Sequence, residues 1–360
     1  MKKRRIFQIL PVIVSGDAVS NDARALERLL KGAGFRTGIY AESVDSRLPR
    51  RAAAEISSLP KLRDDDVLIY HASTGTHLNY DLRRLRGRKI VIYHNITPPE
   101  FFAGISPAAE RIARFGYEGI RFLADYADYC ICDSEYNRQQ LIGMGYRCPM
   151  EVCPILIPYA DYNVEADRKT LDRYRGDGWT NLLFVGRISP NKKQEDVIRA
   201  FARYSEKYNP KTRLILAGNA DGMEAYREKL VECGRALGVE ERVIITGRIP
   251  FEEILAYYRL ADVLVCMSEH EGFCVPLVEA MHFRVPIVAY GAAAVPETLG
   301  KGGVLLEDKD PDRAADAIDR VMRDAEVRRR MMEGQKEILA ALSMDAVGDR
   351  MLSCLKRAIG

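Results

Sequence analysis

The chain has 360 residues, 47% of them hydrophobic, and a formal net charge of +3; a length near 150 residues per domain points to two globular domains. No stretch approaches the ~20 consecutive apolar residues of a membrane-crossing helix. The eight cysteines lack a C-x-x-C pair or regular zinc spacing, which argues against a zinc module, and in a chain of this size against a disulfide framework. The small net charge hides an asymmetry: residues 1–160 carry 23 Lys+Arg against 18 Asp+Glu, and residues 161–360 carry 31 against 33. The basic clusters RLPRR (47–51) and RRLRGRK (83–89) suit either solvated loops and helix ends or contact with a membrane surface or an anionic partner.

The opening MKKRRIFQILPVIVSGD has the basic start and apolar run of a secretory signal, but the run is short, lacks a small-residue cleavage site and ends at Gly16-Asp17. It reads as a first strand over 6–14, and the protein is expected to be cytoplasmic. The stretch NDARALERLLKGAG follows, with Leu26, Leu29, Leu30 and Ala33 on one helical face and Gly34 as a stop. Further β-branched runs at 67–73, 89–95 and 129–133 alternate with helical stretches, the pattern of parallel strands joined by crossover helices. A proline-bearing, then polar segment, 154–180, separates this series from a second of the same kind, with strands expected at 181–187, 213–218, 243–247, 262–267 and 286–290. Helical stretches run from Pro311 to the end. The expected organisation is a domain over 1–160, a second over 161–342 and a final helical segment, 343–360, that packs back on the first domain. No shorter repeat or low-complexity segment is present.

In open parallel sheets ligands bind beyond the carboxyl ends of the strands. In the second half those ends read Gly186-Arg187, Gly218-Asn219, Gly247-Arg248 and Ser268-Glu269-His270-Glu271-Gly272. Glycine permits close approach to the backbone, and Arg187 with Lys192, in GRISPNKK, supplies two cations suited to phosphate oxygens. The turn Gly272-Phe273-Cys274-Val275 leads into a helix with Pro276 at its first position, where free N–H groups and the helix dipole favour an anion. Glu279 is expected in the first helical turn, able to accept two hydrogen bonds from a diol, and Glu271 on the loop could receive sugar hydroxyls. Each feature alone has a structural explanation as a solvated charge or a helix-end charge; their convergence at strand ends carries the argument.

At these residues the sequence resembles the retaining glycosyltransferases of family 4. EGFCVPLVE matches their E-x7-E signature, VGRISPNK resembles their phosphate-binding stretch, and TGRIPFEEILAYYRLADVLVCMSEHEGFCVPLVEAM resembles their donor-binding core. GDAVSND (16–22), YHNITPPEFF (93–102) and DSEYNRQQL (133–141) are similar to members acting on bacterial surface or extracellular polysaccharides. The resemblance covers nearly the whole chain and implies an α/β fold of two Rossmann-like, doubly wound domains facing across a cleft, the GT-B arrangement. It implies that Arg187 and Lys192 bind a donor diphosphate, that Glu279 holds the nucleotide ribose, and that Glu271, Gly272 and the amides of Phe273, Cys274 and Val275 contact donor sugar and phosphates. Gly218, Arg248 and Ile249 would line the nucleotide, Gly16 would lie near the donor phosphate, and His94 near the transferred sugar. Cys274 departs from the family pattern, where a glycine is more usual.

The other histidines divide. His71 and His77 lie on or after a strand, with a structural and a functional reading both open; His270 reads as a loop histidine and His282 as a helix-surface one, with no zinc-ligand spacing around it. DDD (64–66) and DKD (308–310) are the D-x-D candidates for a metal-bound diphosphate, and both read as solvated connectors. The expected partners are a nucleotide diphosphate sugar and a glycan or lipid-linked acceptor, with no nucleic acid, cofactor or essential metal, and with peripheral membrane contact open through the basic first domain. The expected reaction is retaining hexose transfer from GDP-mannose or a UDP-hexose. A glycosidase reading fits poorly because the cations would have no role. A nicotinamide dehydrogenase reading lacks G-x-G-x-x-G after either first strand. An inactive, transferase-like subunit of a glycan-assembly complex is the rival from another class.

Overall fold

The computed structural model describes residues 4–49 and 51–360, so Met1–Lys3 and Arg50, the last a member of the basic cluster 47–51, lie outside the described residues. The chain forms two compact units, one comprising residues as far as Glu100 with Ala108–Ala160 and Ala341–Gly360, the other Phe101–Pro107 with Asp161–Ala340. Each is built around one wholly parallel sheet.

The first unit holds β1 (Arg5–Ile13), β2 (Arg36–Val44), β3 (Ala54–Glu55), β4 (Val67–Ala72), β5 (Arg88–Tyr93), β6 (Tyr129–Cys132) and β7 (Met150–Val152), in the order β3-β2-β1-β4-β5-β6-β7. β4 is buried along its whole length because both faces of a parallel sheet are covered, which is why VLIYHA reads as a continuous run rather than an alternation. On one face Ile6, Val67, Ile69, Ile90, Ile92, Tyr129 and Ile131 pack against Leu26 and Leu30 of the helix Ala18–Gly32 and against Val347, Met351 and Leu355 of the helix Met344–Ile359. Alternate residues Phe7, Leu68, Tyr70, Val91, Tyr93 and Cys130 form the core of the other face. The last helix is anchored by more than apolar contact, since Arg357 Nε donates to Glu151 Oε1 at 2.6 Å.

The second unit holds β8 (Thr180–Val185), β9 (Thr212–Ala217), β10 (Val243–Ile245), β11 (Val263–Cys266), β12 (Ile287–Tyr290) and β13 (Val304–Leu306), in the order β10-β9-β8-β11-β12-β13. The first six strands of the other sheet repeat the same sequence of moves. In both, the chain steps outward on one side of the first strand and then returns to build the other side, so the order reverses at β1/β4 and at β8/β11. Those two reversals are where crossovers leave on opposite faces and a crevice opens at the carboxyl ends.

Among the described residues no helix is long and apolar enough to cross a membrane. The basic cluster at 83–89 is largely engaged locally: Arg84 pairs with Asp81, Arg86 with Asp64, and Arg83 lies over the Phe122 ring. Arg47, in the other cluster, pairs with Asp45.

Met351 is 1% exposed and sits in the core of the first sheet's packed face. Met351→Ala is expected to destabilise the protein by about 2–5 kcal/mol, read as the shift of the urea midpoint. A change within the error of wild type would show that the last helix is dispensable to that core.

Candidate functional site

The loops after β8 and β11 are stitched to each other. Ser189 Oγ donates to Asn191 Oδ1 at 2.7 Å, Asn191 Nδ2 donates to the His270 carbonyl at 3.0 Å, and the Glu269 N–H donates to the Asn191 carbonyl at 2.9 Å. Asn191 is buried and was not singled out by sequence; its signal lay in the Pro-Asn turn between two apolar strands. The left-handed Lys193 (φ 51°) ends this turn and starts the helix Gln194–Lys207. Lys192 Nζ thereby reaches Glu271 Oε2 at 2.6 Å. Burial acts to lower the Lys192 pKa, but the Glu271 carboxylate outweighs it and holds the ammonium above its ordinary value. A second cationic pair flanks the first: Lys309 Nζ lies 2.6 Å from Glu269 and 3.1 Å from Asp196.

After Glu271 and Gly272 the chain turns through Phe273 and Cys274 into the helix Val275–His282. Cys274 has φ 73°, a conformation that glycine takes freely and L-residues rarely; the usual glycine of the family therefore marks a real backbone demand, which this chain meets with a cysteine. The Cys274 thiol is buried, 4.0 Å from Cys266 Sγ. The Phe273 carbonyl accepts from Thr298 Oγ1, fixing the turn from the other side. The helix starts at Val275, so Pro276 stands one place inside it, and Glu279 lies beyond the first turn rather than within it. Dipole stabilisation is correspondingly not what governs Glu279. Burial raises its pKa, against the lowering effect of two tyrosine hydroxyls, Tyr258 at 2.6 Å from Oε2 and Tyr162 at 3.1 Å from Oε1. These tyrosines orient the carboxylate and leave each oxygen a further lone pair.

The remaining loop residues form a third group. Arg187, exposed after β8, donates to the Asp221 carbonyl at 3.1 Å, and Arg248 pairs with the Asp221 carboxylate at 2.6 Å, so one residue not foreseen in the sequence holds both guanidinium groups. Ile249 packs at the margin of the second unit's core. Gly218 has a packing reason for lacking a side chain, since an added Cβ would stand 1.8 Å from the Gly186 carbonyl oxygen. Its close neighbour is the next strand's backbone.

In the first unit, Gly16 follows β1 with φ 82° and open space around it, and Asp17 caps the helix Ala18–Gly32. His94 follows β5, its N–H donating to the Ala72 carbonyl, and Asn95 takes the left-handed turn (φ 79°) that ends the strand. The His94 ring, expected near a transferred sugar, is held inside the protein. His94 is 2% exposed at the side chain, its Nδ1 is 2.8 Å from Asp133 Oδ2 and its Nε2 is 2.9 Å from His71 Nδ1. Both ring nitrogens are thus engaged by the protein. His71, fully buried, is part of the same cluster. His77 is exposed against the Phe115 ring, and His282 lies against Tyr162 and Phe283.

Among the described residues, two groups of ligand-type atoms lie within 4.8 Å of one another: Asp22, His71 and His94, and Cys266, Glu271 and Cys274. In the first, the two rings lie within 2° of one plane with centroids 5.1 Å apart, so the ring nitrogens point at each other and not at a common centre. In the second, the carboxylate is already paired with Lys192. The two D-x-D candidates are structural: Asp310 caps the helix Pro311–Arg323, Asp308 pairs with Arg313, Asp66 with Arg5 and Asp64 with Arg86.

Two Rossmann-like units, each with its strand order reversing beside the first strand, give this chain the GT-B fold. Residues 176–338 match the family described as glycosyl transferases group 1. Among curated relatives, a D-inositol 3-phosphate glycosyltransferase of Corynebacterium diphtheriae is 31% identical over 175 residues, 48% of this chain and 41% of its own length. An alpha-D-kanosaminyltransferase of Streptomyces kanamyceticus is 32% identical over 206 residues, 56% and 52% of the two chains. The chain thus spans about half the length of the curated relatives it matches. Among solved structures, sucrose-phosphate synthase from Thermosynechococcus elongatus superposes with a TM-score of 0.75 at 17% identity, covering 98% of this chain and 99% of that one. Anabaena HepE in complex with UDP-glucose gives 0.74 at 18% identity, with 97% and 99% covered.

His270 supplies a pH test of the loop packing. Its imidazole is buried beside Phe101, and burial pushes its pKa down from 6.5 to about 4. Neutral in the folded protein, it gains a proton on unfolding, so its contribution to stability is complete above pH 6.5 and is lost as pH falls toward 4. His270→Gln is expected to flatten that part of the stability curve. Equal slopes for variant and wild type across this window would show that the ring is not held in a dry site.

Proposed function

We propose that this chain is a retaining glycosyltransferase of family 4, moving a hexose from a nucleotide diphosphate sugar to a hydroxyl of a glycan or lipid-linked acceptor in bacterial surface or extracellular polysaccharide synthesis. The observation that carries the reading is the Lys192–Glu271 contact, 2.6 Å long, immediately before the left-handed turn and the start of the helix Val275–His282. It places an ammonium, a carboxylate and free backbone N–H groups on adjoining loops. An anion at the helix start meets N–H groups and the positive dipole end, with Lys192 and Arg187 as the cations that take up its charge.

In this reading the diphosphate is the leaving group. Charge grows on it as the anomeric bond breaks, so a cation held in place beforehand favours the transition state over the bound donor. Glu271 orients Lys192 and offers its other oxygen to the sugar hydroxyls, while Glu279, held by Tyr258 and Tyr162, accepts from the ribose diol. The departing phosphate takes the proton of the incoming acceptor hydroxyl on the same face, which retains the anomeric configuration. His94 acts through its charge, since its ring nitrogens are occupied. The D-x-D carboxylates being engaged in caps and ion pairs supports transfer without an essential metal. HepE, described with UDP-glucose, supports a UDP-hexose as one donor, beside GDP-mannose.

The first test is the thermal midpoint with UDP, GDP or ADP. A nucleotide at ~100 times its dissociation constant adds about 2.7 kcal/mol, and one nucleotide alone is expected to raise the midpoint. No shift with any of the three would remove the donor site. In a transfer assay run in EDTA, wild-type turnover is expected to persist, and Lys192→Ala to lower kcat by about 10²-fold or more with a smaller change in the donor KM. A rise in KM at unchanged kcat would assign Lys192 to ground-state binding, and activity restored only by magnesium would overturn the metal-free reading.

A further inference from the structure

Four polar residues interrupt the apolar rows of the first sheet's packed face on four adjacent strands, Gln8 within β1 and the other three at or just after the carboxyl ends of β4, β5 and β6. Gln8 continues the row of Ile6 on β1, His71 that of Val67 and Ile69 on β4, His94 that of Ile90 and Ile92 on β5, and Asp133 that of Tyr129 and Ile131 on β6. They form one chain of hydrogen bonds running sideways across the sheet. Gln8 meets His71 Nε2 at 2.8 Å, His71 Nδ1 meets His94 Nε2 at 2.9 Å, and His94 Nδ1 meets Asp133 Oδ2 at 2.8 Å.

The hydrogens of this chain can be placed one by one. The Gln8 amide is fixed because its Nε2 donates to the Ala23 carbonyl at 3.0 Å, leaving Oε1 to face His71. An amide oxygen only accepts, so His71 Nε2 carries a hydrogen. A carboxylate only accepts, so His94 Nδ1 carries one. The two ring planes are parallel to within 2°, and His71 Nδ1 faces His94 Nε2 at 2.9 Å, where two bare lone pairs would repel, so a third hydrogen is required between them. Three hydrogens on four ring nitrogens amount to one positive charge on the pair. Asp22 Oδ2, buried and without a hydrogen-bond partner, stands 3.7 Å from His71 Nδ1 and 3.8 Å from His94 Nε2, on both sides of the shared hydrogen. Its other oxygen accepts from the Leu156 N–H at 2.8 Å.

We propose that His71 and His94 form a single buried cation at the carboxyl ends of β4 and β5, and that Gln8 and Asp22 are positioning residues for it, Gln8 by forcing His71 to carry its hydrogen on Nε2 and Asp22 by countering the shared charge. The groups facing the pair are Asp17 and Asp22 from the first helix and its cap, Asp133 after β6, and the Cys153 thiol near Asp22. The directions of titration agree. Burial lowers His71 far below its ordinary value, while for His94 burial is outweighed by Asp133 and Asp22, which raise it, so the charge resides on the His94 side. Burial pushes Asp22 up to about 7 against the pull of His94, so Asp22 counters the pair as a full carboxylate only above that pH. The pair sits beside the β1/β4 reversal, where an open parallel sheet receives its ligand. Its link to catalysis rests on the proposed transferase function; its existence does not.

The test is 15N imidazole NMR of the whole chain, with its five histidines assigned through His94→Asn. At pH 7.5 the wild type is expected to show one ring with both nitrogens protonated, coupled to a second ring protonated on Nε2. Two neutral rings would overturn the proposal without any variant. Gln8→Met, of similar volume, removes the acceptor and frees His71 to move its hydrogen to Nδ1. The pH at which the pair loses its third hydrogen is then expected to fall by more than about one unit, a tenfold change. An unchanged midpoint in a folded Gln8→Met protein would remove Gln8 from the role. In a transfer assay the same variant is expected to add an alkaline limb to the kcat profile at the NMR midpoint. NMR shifts without that limb would keep the buried cation and remove its role in turnover; absence of turnover in the wild type would speak against the transferase reading alone.

Discussion

The reversal of strand order beside the first strand of each sheet is the constraint on which the rest depends. A parallel sheet needs crossovers, and crossovers of one hand carry the chain to one face when it moves left and to the other when it moves right. Where the direction changes, neighbouring loops diverge and the carboxyl ends of two strands are left uncovered by their own connections. In the second unit those strands are β8 and β11, and the residues that follow them are Arg187 to Lys193 and Ser268 to Cys274. In the first unit they are β1 and β4, and Gly16, Asp17 and His71 stand at or after their ends. Residues up to 80 positions apart in sequence become neighbours for this reason, as the |i−j| of 79 between Lys192 and Glu271 illustrates.

At the second reversal, charge is arranged before any ligand arrives. Lys192 is neutralised by Glu271, Lys309 by Glu269 and Asp196, and Arg248 by Asp221. A buried ammonium without a partner would lose its proton or its place; Glu271 keeps Lys192 charged, and the other carboxylates orient Lys309 and Arg248. The same pairing cancels much of their pull on a distant anion. Attraction at range therefore falls to exposed Arg187, which donates to the Asp221 carbonyl, and to the N–H groups at the start of the helix Val275–His282. In the proposed function Lys192 acts at close quarters, where a phosphate oxygen would share it with Glu271.

Much of this was legible in the sequence. The β-branched runs located β1, β4, β5, β6 and most of the second sheet because strands buried on both faces need unbroken apolar stretches. β2 escaped because RTGIYAESV buries only Ile39 and Ala41 deeply and presents polar groups elsewhere; β7 and β13, three residues each, are too short for any periodicity. The loop residues Arg187, Lys192, Glu271 and Glu279 were visible through charge beside glycine and through resemblance. Their supports were not. Asn191, Asp221, Tyr162, Tyr258 and Thr298 act through hydrogen bonds to partners remote in sequence, and nothing in their local pattern distinguishes them from ordinary loop and core residues. The start of the helix at Val275 shifted Glu279 out of the first turn, a difference of one residue that changes which force governs its proton.

The row Gln8, His71, His94 and Asp133 was hidden for a different reason. Each occupies a position where the period-two pattern of a buried strand calls for an apolar residue, so each on its own reads as a tolerated exception near a strand end. Buried polar groups persist only when their hydrogen bonds are satisfied, and no one of these four can satisfy itself. Gln8 needs Ala23 and His71, His71 needs both Gln8 and His94, and His94 needs His71 and Asp133. Only the register of four parallel strands, with Gln8 two residues short of level with His71 and His71 two short of His94, brings them into reach. A network of this kind is all or nothing: removing one member leaves its neighbours with unmet hydrogens in a dry interior. Asp22 Oδ2, unmet by any hydrogen-bond donor, faces the charged rings, where an oxygen without a hydrogen-bond partner still gains from the positive charge beside it.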